Sequence, residues 1–397
     1  DRTRLARLME RERAAFAADH PRSGALHERA SRSLPDGVPM NWMVKWAGPY
    51  PLFVEQARGA HFSCVDGHEY VDFCLGDTGA MAGHGPAPTI EAVERQLRRG
   101  ITHMLPTEDA IAVGEELQRR FGLPYWQFTL TATDANRFSL RLARLITGRS
   151  KVVVHNHCYH GSVDEAFATL ADDGRVVARR GNIGPAVDPA LTTRVVEFND
   201  LPALERALAD QAVAVVMIEP ALTNVGIVLP EPGYLEGVRE LTRRTGTLLL
   251  IDETHTICAG PGGATKAWGL EPDILVIGKT IGGGIPAGTY GFTAAIADRS
   301  AARSASTADP TARPARSSFA GSVPTPSGRS LQFSMSRVTT AMKTMPPTVA
   351  IRRCWTEMSI VVMRGHRAAE VVMRLAPLTP ATRSEAAPNR ASCATLE

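Results

Sequence analysis

A lysine and an aspartate occupy positions where an amine and a carboxylate could act together on a bound molecule. The segment TLLLID ends at Asp252, and the segment ILVIG is followed directly by Lys279. Both segments are short and apolar, which is typical of buried strands. Because the carboxyl ends of neighbouring parallel strands meet at one sheet edge, we expect the two side chains to lie close together. A lysine amine can attack a carbonyl carbon, and a carboxylate can hold a protonated ring nitrogen.

Each of these residues has a plainer interpretation when it is taken alone. A single lysine after a strand is most often a solvated charge, and a single aspartate at a strand end most often caps a helix or forms a turn. Gly282, Gly283 and Gly284 favour a tight backbone turn beside the amine. The combination of IDETH (251–255) with DILVIGKTIGGGIPAG (273–288) is therefore a stronger signal than either residue.

Three further segments carry polar residues after a predicted strand or at the start of a predicted helix. They are TATDANRFSLRLARLITGRSK (131–151), HNHCYHGS (155–162) and VVMIEPALTNVG (215–226). The first could be an ordinary capped helix, although amides at a helix N-terminus also bind phosphate groups. The second could be a polar loop, and the third a simple strand end. The histidines of the second segment lack an acidic ligand set at the usual spacing, so no metal site is predicted.

These four segments, in their order along the chain, resemble the class III aminotransferase family across about residues 35–297. The chain is similar above all to the glutamate-1-semialdehyde 2,1-aminomutases and the β-amino-acid aminotransferases of that family. The resemblance implies a pyridoxal-phosphate (PLP)-dependent transferase of fold type I, with Lys279 and Asp252 as the catalytic pair. Both would also bind the cofactor, Lys279 at its aldehyde and Asp252 at its pyridine nitrogen. The other implied contacts are the phosphate at Ala132 and Thr133, the ring face at Tyr159, the strand end at Glu219, the 3′-oxygen at Asn224 and the ring at Thr254.

The resemblance implies an aminotransferase that moves an amino group between an amino acid, including a β-amino acid, and a keto acid or aldehyde. The stretch MNWMVKW (40–46) lacks the arginine that the aminomutases use for the substrate carboxylate, and Thr78 stands where they have an aromatic residue. Both departures favour an aminotransferase over an aminomutase-like isomerase. That isomerase, a PLP-dependent racemase or lyase, an inactive PLP-binding homologue and a cofactor-free scaffold protein stay open. The resemblance also implies a homodimer.

The chain divides into three parts by composition and pattern. Residues 1–85 predict an N-terminal arm and a small β unit with a hairpin turn at Asp66 and Gly67. Residues 86–299 alternate helices with apolar runs, which predicts a large α/β domain with a mostly parallel sheet flanked by helices. Residues 300–397 are atypical, because Ser, Arg, Ala, Thr and Pro dominate there. We expect a disordered or frameshifted region, with one helix near 366–375.

Charge and hydropathy restrict the partners of the chain. Residues 301–397 carry 13 basic and 5 acidic residues, a net charge of +8, whereas residues 1–300 carry a net charge of −5. The acidic body argues against nucleic acid as the main partner. No apolar run approaches the roughly 18 residues needed to cross a bilayer. The six cysteines show no paired spacing, so we expect a cytoplasmic protein with reduced thiols and no membrane partner.

Overall fold

The computed structural model describes residues 1–45, 47–307, 359–364 and 367–372. It divides into two compact units, of which the first contains Asp1–Thr307 and the second contains a β-hairpin within Ala308–Ala394. The three-part division at residues 85 and 299 stays a prediction.

Ten α-helices lie in the described residues: α1 (Arg2–Asp19), α2 (Pro21–Ala30), α3 (Ala87–Arg99), α4 (Glu108–Phe121), α5 (Ala132–Thr147), α6 (Pro189–Thr192), α7 (Leu201–Leu208), α8 (Tyr234–Thr245), α9 (Gly263–Ala267) and α10 (Ala294–Thr307). None of these helices combines the length and the apolar character that a membrane span requires.

The same residues form fourteen strands: β1 (Val54–Arg58), β2 (His61–Cys64), β3 (Glu69–Val71), β4 (Tyr125–Thr129), β5 (Lys151–His155), β6 (Ala168–Leu170), β7 (Val176–Ala178), β8 (Thr193–Val196), β9 (Val213–Ile218), β10 (Leu248–Asp252), β11 (Ile274–Gly278), β12 (Gly288–Phe292), β13 (Ser359–Arg364) and β14 (Arg367–Val372).

Seven strands build the central sheet in the order β4-β12-β11-β10-β9-β5-β8. The pairs β11/β10, β10/β9, β9/β5 and β5/β8 are parallel, and β12 runs antiparallel to both of its neighbours. The predicted mostly parallel sheet flanked by helices is therefore confirmed. The order places β10 and β11 side by side, with their carboxyl ends at one edge.

The central strands are apolar along their whole length because both faces of the sheet are covered. Every residue of β9, β10 and β11 is buried. Met217 and Leu250 pack in a core on the α5 side, whereas Val216 and Ile251 pack in a second core with α7 and α8. Successive strand residues point to opposite faces, so a continuous apolar run is what a sheet covered on both faces requires.

A small antiparallel sheet of β1, β2 and β3 precedes the large one. Its β2–β3 turn contains the predicted Asp66 and Gly67, and Gly67 has a φ of 90° that favours glycine. The Asp66 carboxylate accepts hydrogen bonds from the backbone amides of Arg22 (2.7 Å) and Ser23 (3.1 Å). These bonds attach the start of α2 to the small sheet.

In the second unit, β13 pairs with β14 in antiparallel register, from Ser359 opposite Val372 to Arg364 opposite Arg367. The helix predicted near 366–375 is therefore wrong for Arg367–Val372. The antiparallel ladder pairs the backbone groups that face the other strand, and valines in both strands favour the extended conformation. Residues 300–307 of the region predicted to be disordered or frameshifted belong to α10, because the helix that starts at Ala294 continues through them. The rest of that region lies outside the described residues.

Candidate active site

A cavity of about 360 Å³ opens where β10 and β11 end beside the start of α5. It is lined by side chains from five separate segments of the chain: Met40, Leu130, Thr131, Ala132, Thr133, Tyr159, His160, Gly161, Asp252, Thr254, His255, Lys279, Pro286 and Ala287. The strand order explains this convergence, since ligand sites of open α/β sheets form beyond the carboxyl ends of the strands.

Lys279 is the first residue after β11 and has a backbone φ of 49°. Its Nζ lies 2.7 Å from Asp77 Oδ2 and 2.8 Å from His255 Nε2. A positive φ is uncommon for a residue other than glycine and tends to occur at functional sites. The Lys279 amine therefore lies between the Asp77 carboxylate and the His255 imidazole, at the sheet edge where β11 ends.

The Asp252 carboxylate is buried and accepts four hydrogen bonds. Oδ1 accepts from the Thr254 amide (3.0 Å) and hydroxyl (2.6 Å), and Oδ2 accepts from Asn136 Nδ2 (2.8 Å) and His160 Nδ1 (3.0 Å). Burial by itself raises the pKa of Asp252, but the bonds and charge of His160, with those of Thr254 and Asn136, lower the pKa below its ordinary value. Asp252 is therefore an anion at neutral pH.

His160 forms a buried ion pair with Asp252. Burial alone lowers the pKa of His160, but the neighbouring Cys158 sulfur and the Asp252 carboxylate raise the pKa well above its ordinary value. His160 therefore carries a proton at neutral pH, which fits the ionised state of Asp252. Its other ring nitrogen, Nε2, is buried without a hydrogen-bond partner among the described residues.

The start of α5 forms another wall of the cavity. The Thr131 hydroxyl caps the helix by accepting from the Asp134 amide at 3.1 Å, so Ala132 and Thr133 are the first helical residues. Amides at this position lack partners inside the helix and bind anions. A Cβ at Gly161 would collide with Thr133 Oγ1, and a Cβ at Gly278 would lie 2.6 Å from the Cβ of Ala132. The two glycines thus allow the loop after β5 and the end of β11 to approach the helix start closely.

Tyr159 lies on the cavity wall and is positioned through Glu219. Glu219 is buried at the end of β9, where its carboxylate accepts from the Tyr159 amide (3.1 Å) and the Thr223 hydroxyl (2.7 Å). Asn224 is exposed, and its Nδ2 donates to the His157 carbonyl at 3.4 Å. Neither Glu219 nor Asn224 lines the cavity.

The Aminotransferase class-III family model matches residues 42–313, which is more than half of the chain and includes the whole central sheet. The chain belongs to the class III aminotransferases. It is 37% identical over 284 residues to a glutamate-1-semialdehyde 2,1-aminomutase of Chloroflexus aurantiacus, a match that covers 68% of this chain and 62% of that protein. The chain therefore spans less than two thirds of the length of that relative.

Solved structures of class III enzymes give the same result. The glutamate-1-semialdehyde-aminomutase from Pseudomonas aeruginosa PAO1 is 51% identical with a TM-score of 0.75, covering 79% of this chain and 69% of that one. A variant of that protein has been solved in complex with PMP. The β-phenylalanine aminotransferase from Variovorax paradoxus is 26% identical with a TM-score of 0.67, covering 79% of this chain and 68% of that one.

Six of the eight residues that the sequence suggested line one cavity of this class III chain: Ala132, Thr133, Tyr159, Asp252, Thr254 and Lys279. Glu219 contacts that group only through Tyr159, and Asn224 lies apart from it. Sequence reasoning missed Asn136, His160, His255 and Asp77, all of which contact Asp252 or Lys279. Asn136, His160 and His255 belong to the quoted motifs. Their closeness in sequence to the predicted site residues is the signal that could have identified them.

Proposed function

We propose that this chain is a PLP-dependent aminotransferase whose reactive amine is Lys279 Nζ. The observation that carries the proposal is a single cavity lined by the Lys279 amine, the Asp252 carboxylate and the first residues of α5. An amine for the aldehyde, an anion for the ring nitrogen and backbone amides for the phosphate are the groups that PLP requires from a protein.

The size and chemistry of the cavity fit PLP. Its volume of about 360 Å³ falls in the range of small-molecule sites, roughly 300–1,000 Å³. The lowered pKa of Asp252 supplies the anion that a protonated pyridine nitrogen needs. Close packing of Gly161 and Gly278 against α5 fixes the amides of Ala132 and Thr133 that would bind the phosphate.

Each residue then has a distinct task in amino transfer. When bound, PLP supplies an electron-withdrawing ring that stabilises negative charge on the substrate carbon. Lys279 would hold the cofactor aldehyde, yield its place to the donor amine, and move a proton at the donor carbon as general base and acid. Asp252 would keep the ring nitrogen protonated, Tyr159 would cover one face of the ring, and Thr254 would lie beside it.

Glu219 and Asn224 are proposed to act less directly. Glu219 would position Tyr159 through the bond between its carboxylate and the Tyr159 amide. Asn224, proposed as a donor to the 3′-oxygen of the cofactor, would have to release the His157 carbonyl first.

We propose an amino acid, including a β-amino acid, as the donor and a keto acid or aldehyde as the acceptor. None of the residues that line the cavity in the described chain is an arginine, and the MNWMVKW stretch contributes Met40, its first residue, to the wall. The likeness to a β-phenylalanine aminotransferase supports this donor class. Reduced cytoplasmic surroundings and a homodimer belong to the same proposal.

An aminomutase is the second candidate, because the aminomutases of Chloroflexus aurantiacus and Pseudomonas aeruginosa are similar to this chain. An aminomutase would isomerise glutamate 1-semialdehyde without consuming an external acceptor. An aminotransferase would instead need a stoichiometric keto acid or aldehyde. Measuring product formation from glutamate 1-semialdehyde, with and without an added keto acid, separates the two functions.

Cofactor attachment is tested by incubating the full chain with PLP, recording the visible spectrum and reducing with borohydride. Mass spectrometry should find the reduced adduct on the peptide that contains Lys279. Lys279→Ala should lose both the visible band and the adduct, whereas the matched control Lys266→Ala should keep both. An adduct on Lys266, or none at all, would contradict the assignment.

A further inference from the structure

His255 contacts the reactive amine directly. Its Nε2 lies 2.8 Å from Lys279 Nζ, and Asp77 Oδ2 lies 2.7 Å from the same nitrogen. A lysine ammonium has three donors and no acceptor. Nε2 must therefore accept from the lysine, which makes His255 neutral with its proton on Nδ1.

Thr78 is placed to fix that tautomer. His255 Nδ1 lies 3.5 Å from Thr78 Oγ1, and the Thr78 hydroxyl donates to the Asp77 carbonyl at 2.6 Å. The hydroxyl oxygen keeps a lone pair for the imidazole N–H. Asp77, Thr78 and Lys279 have φ values of 56°, 67° and 49°. Backbone strain therefore occurs at the lysine itself and at two residues of the loop that faces it.

The charges around His255 favour a neutral ring beside a charged lysine. Burial and the Lys279 charge lower the pKa of His255, while the carboxylates of Asp77, Glu219 and Asp252 act in the opposite direction. If Lys279 loses its charge, the repulsion disappears and the imidazole binds a proton more readily. The two groups therefore form a pair that favours one shared proton.

We propose that His255 is the proton partner of Lys279, accepting a proton from the ammonium to free the amine and returning it afterwards. In this step one N–H bond of Lys279 breaks and one N–H bond forms at His255 Nε2. The positive charge moves between the two side chains, and no further reagent is needed. The inference rests on the proposed function, because only a free amine can add to the cofactor aldehyde.

A shared proton has a measurable consequence in the chain without cofactor. For an isolated lysine, the fraction of uncharged amine falls about tenfold for each unit that the pH falls. In the pair, the state with neutral Lys279 and protonated His255 keeps a constant population while one proton is shared. The free amine of Lys279 should therefore level off just below about pH 6.5, the ordinary range of histidine, and fall again only at the lower pH where His255 and Lys279 are both protonated.

Competitive acetylation with trace acetic anhydride measures this fraction for each lysine. The chain has only five lysines, namely Lys45, Lys151, Lys266, Lys279 and Lys343, so mass spectrometry resolves them by peptide. Between about pH 6.5 and 5.5, labelling of Lys279 in the wild-type chain should fall by about twofold, whereas labelling of Lys266 should fall by about tenfold. A tenfold fall at Lys279 would overturn the proposal.

His255→Gln separates proton exchange from structure, because glutamine can still accept from the lysine but cannot take its proton. Labelling of Lys279 in His255→Gln should fall about tenfold over the same interval. Thr78→Val, which leaves the tautomer unfixed, should weaken the plateau and provides a second test if the first variant folds poorly. His61→Gln, a histidine of β2, is the control and should behave as the wild type. A plateau that persists in His255→Gln would overturn the proposal.

The labelling experiment does not depend on cofactor binding. If PLP fails to attach to Lys279, the proposed function fails while the plateau can still appear. If the plateau is absent but borohydride traps PLP on Lys279, only the role of His255 fails. In the loaded enzyme, His255→Gln should also shift the pH midpoint of the visible absorbance, and Thr78→Val should shift it less.

Discussion

Asp252 is an anion in a buried position, where a charge is stable only if hydrogen bonds and an opposite charge compensate for lost water. Asn136, His160 and Thr254 supply that compensation with four donors. The same bonds that stabilise the carboxylate orient it toward the cavity. The ionised state of Asp252 is thus a property of its neighbours, and removing its charge should affect the chemistry more than the shape of the site.

Asp252→Asn should leave PLP attached to Lys279 but slow the reaction with an amino donor by about a hundredfold or more, because a preorganised charge is lost. The decay of the visible band after donor addition measures that rate. Asp298→Asn, at an exposed aspartate of α10, is the matched control. An unchanged rate in Asp252→Asn would mean that the carboxylate does not act on the ring nitrogen.

The His160 ion pair predicts how stability depends on pH. Because the pKa of His160 is raised in the folded state, its contribution is complete below the unfolded value of about 6.5 and is lost as pH rises through the folded value. The free energy of unfolding of the wild type, relative to His160→Gln, should fall above about pH 6.5 by at most about 1.4 kcal/mol per pH unit. Urea denaturation from pH 5 to 9 measures it, and a difference that grows with pH would refute the pairing.

Two glycines, Gly161 in the loop after β5 and Gly278 at the end of β11, lie against the start of α5. Gly161 has a φ of 75° and packs on Thr133, so Gly161→Ala would combine backbone strain with a collision. Gly174 has a similar φ of 79°, but the Cβ of an alanine there would meet no atom within 4 Å. Comparing alanine substitutions at these two glycines separates the effect of backbone strain from the effect of a collision with Thr133.

Gly161→Ala should therefore weaken binding of PLP by tenfold or more, on the order of 1.4 kcal/mol, because Thr133 must move from the proposed phosphate site. It should weaken binding of pyridoxal, which has no phosphate, much less. Gly174→Ala should leave both affinities unchanged. Equal losses for PLP and pyridoxal in Gly161→Ala would show that the start of α5 does not receive the phosphate.

The elements that sequence could predict are those whose pattern is local. Strands β5, β9, β10 and β11 are continuous apolar runs, since both of their faces are covered, and the predicted strands TLLLID and ILVIG match β10 and β11 within one residue at each end. Strands β4, β8 and β12 escaped prediction because YWQFT, TRVV and GTYGF mix polar residues and glycine with apolar ones. Their place in the sheet comes from pairing with distant strands.

The contacts in the candidate site also divide into those that a local sequence pattern predicts and those that depend on distant segments. Asp252 and Lys279 could be predicted because each directly follows a recognisable strand. The bond from His160 to Asp252 joins residues 92 positions apart, one in the loop after β5 and one at the end of β10, and these two strands lie on either side of β9. The bond between Asp77 and Lys279 depends on a loop in which four consecutive residues, 75–78, have positive φ values. No local pattern in the sequence encodes either distance.

At the scale of the whole molecule, the first unit has a face around one cavity where large apolar side chains are exposed. Contiguous exposed apolar surface marks interaction sites. A second cavity of about 820 Å³ is lined by α4, β4 and the loops after β11, and it includes Val113 and Phe128. Val113 is 48% exposed and Phe128 is 49% exposed. Ala287 lines both this cavity and the cavity that contains Lys279. A partner that covers the larger cavity would therefore also border the smaller one.

The proposed homodimer predicts that a second copy of the chain covers this face. Val113→Asp would place a charge in the contact and should shift the chain from dimer to monomer in sedimentation velocity. Ile183→Asp, at a side chain that is 74% exposed and lies outside this cavity, should stay dimeric. Because Ala287 joins the two cavities, the monomeric variant should also lose PLP more readily on dialysis. A wild-type chain that sediments as a monomer at micromolar concentration would contradict the dimer, and a monomeric Val113→Asp that retains PLP would show that the active site is complete within one copy.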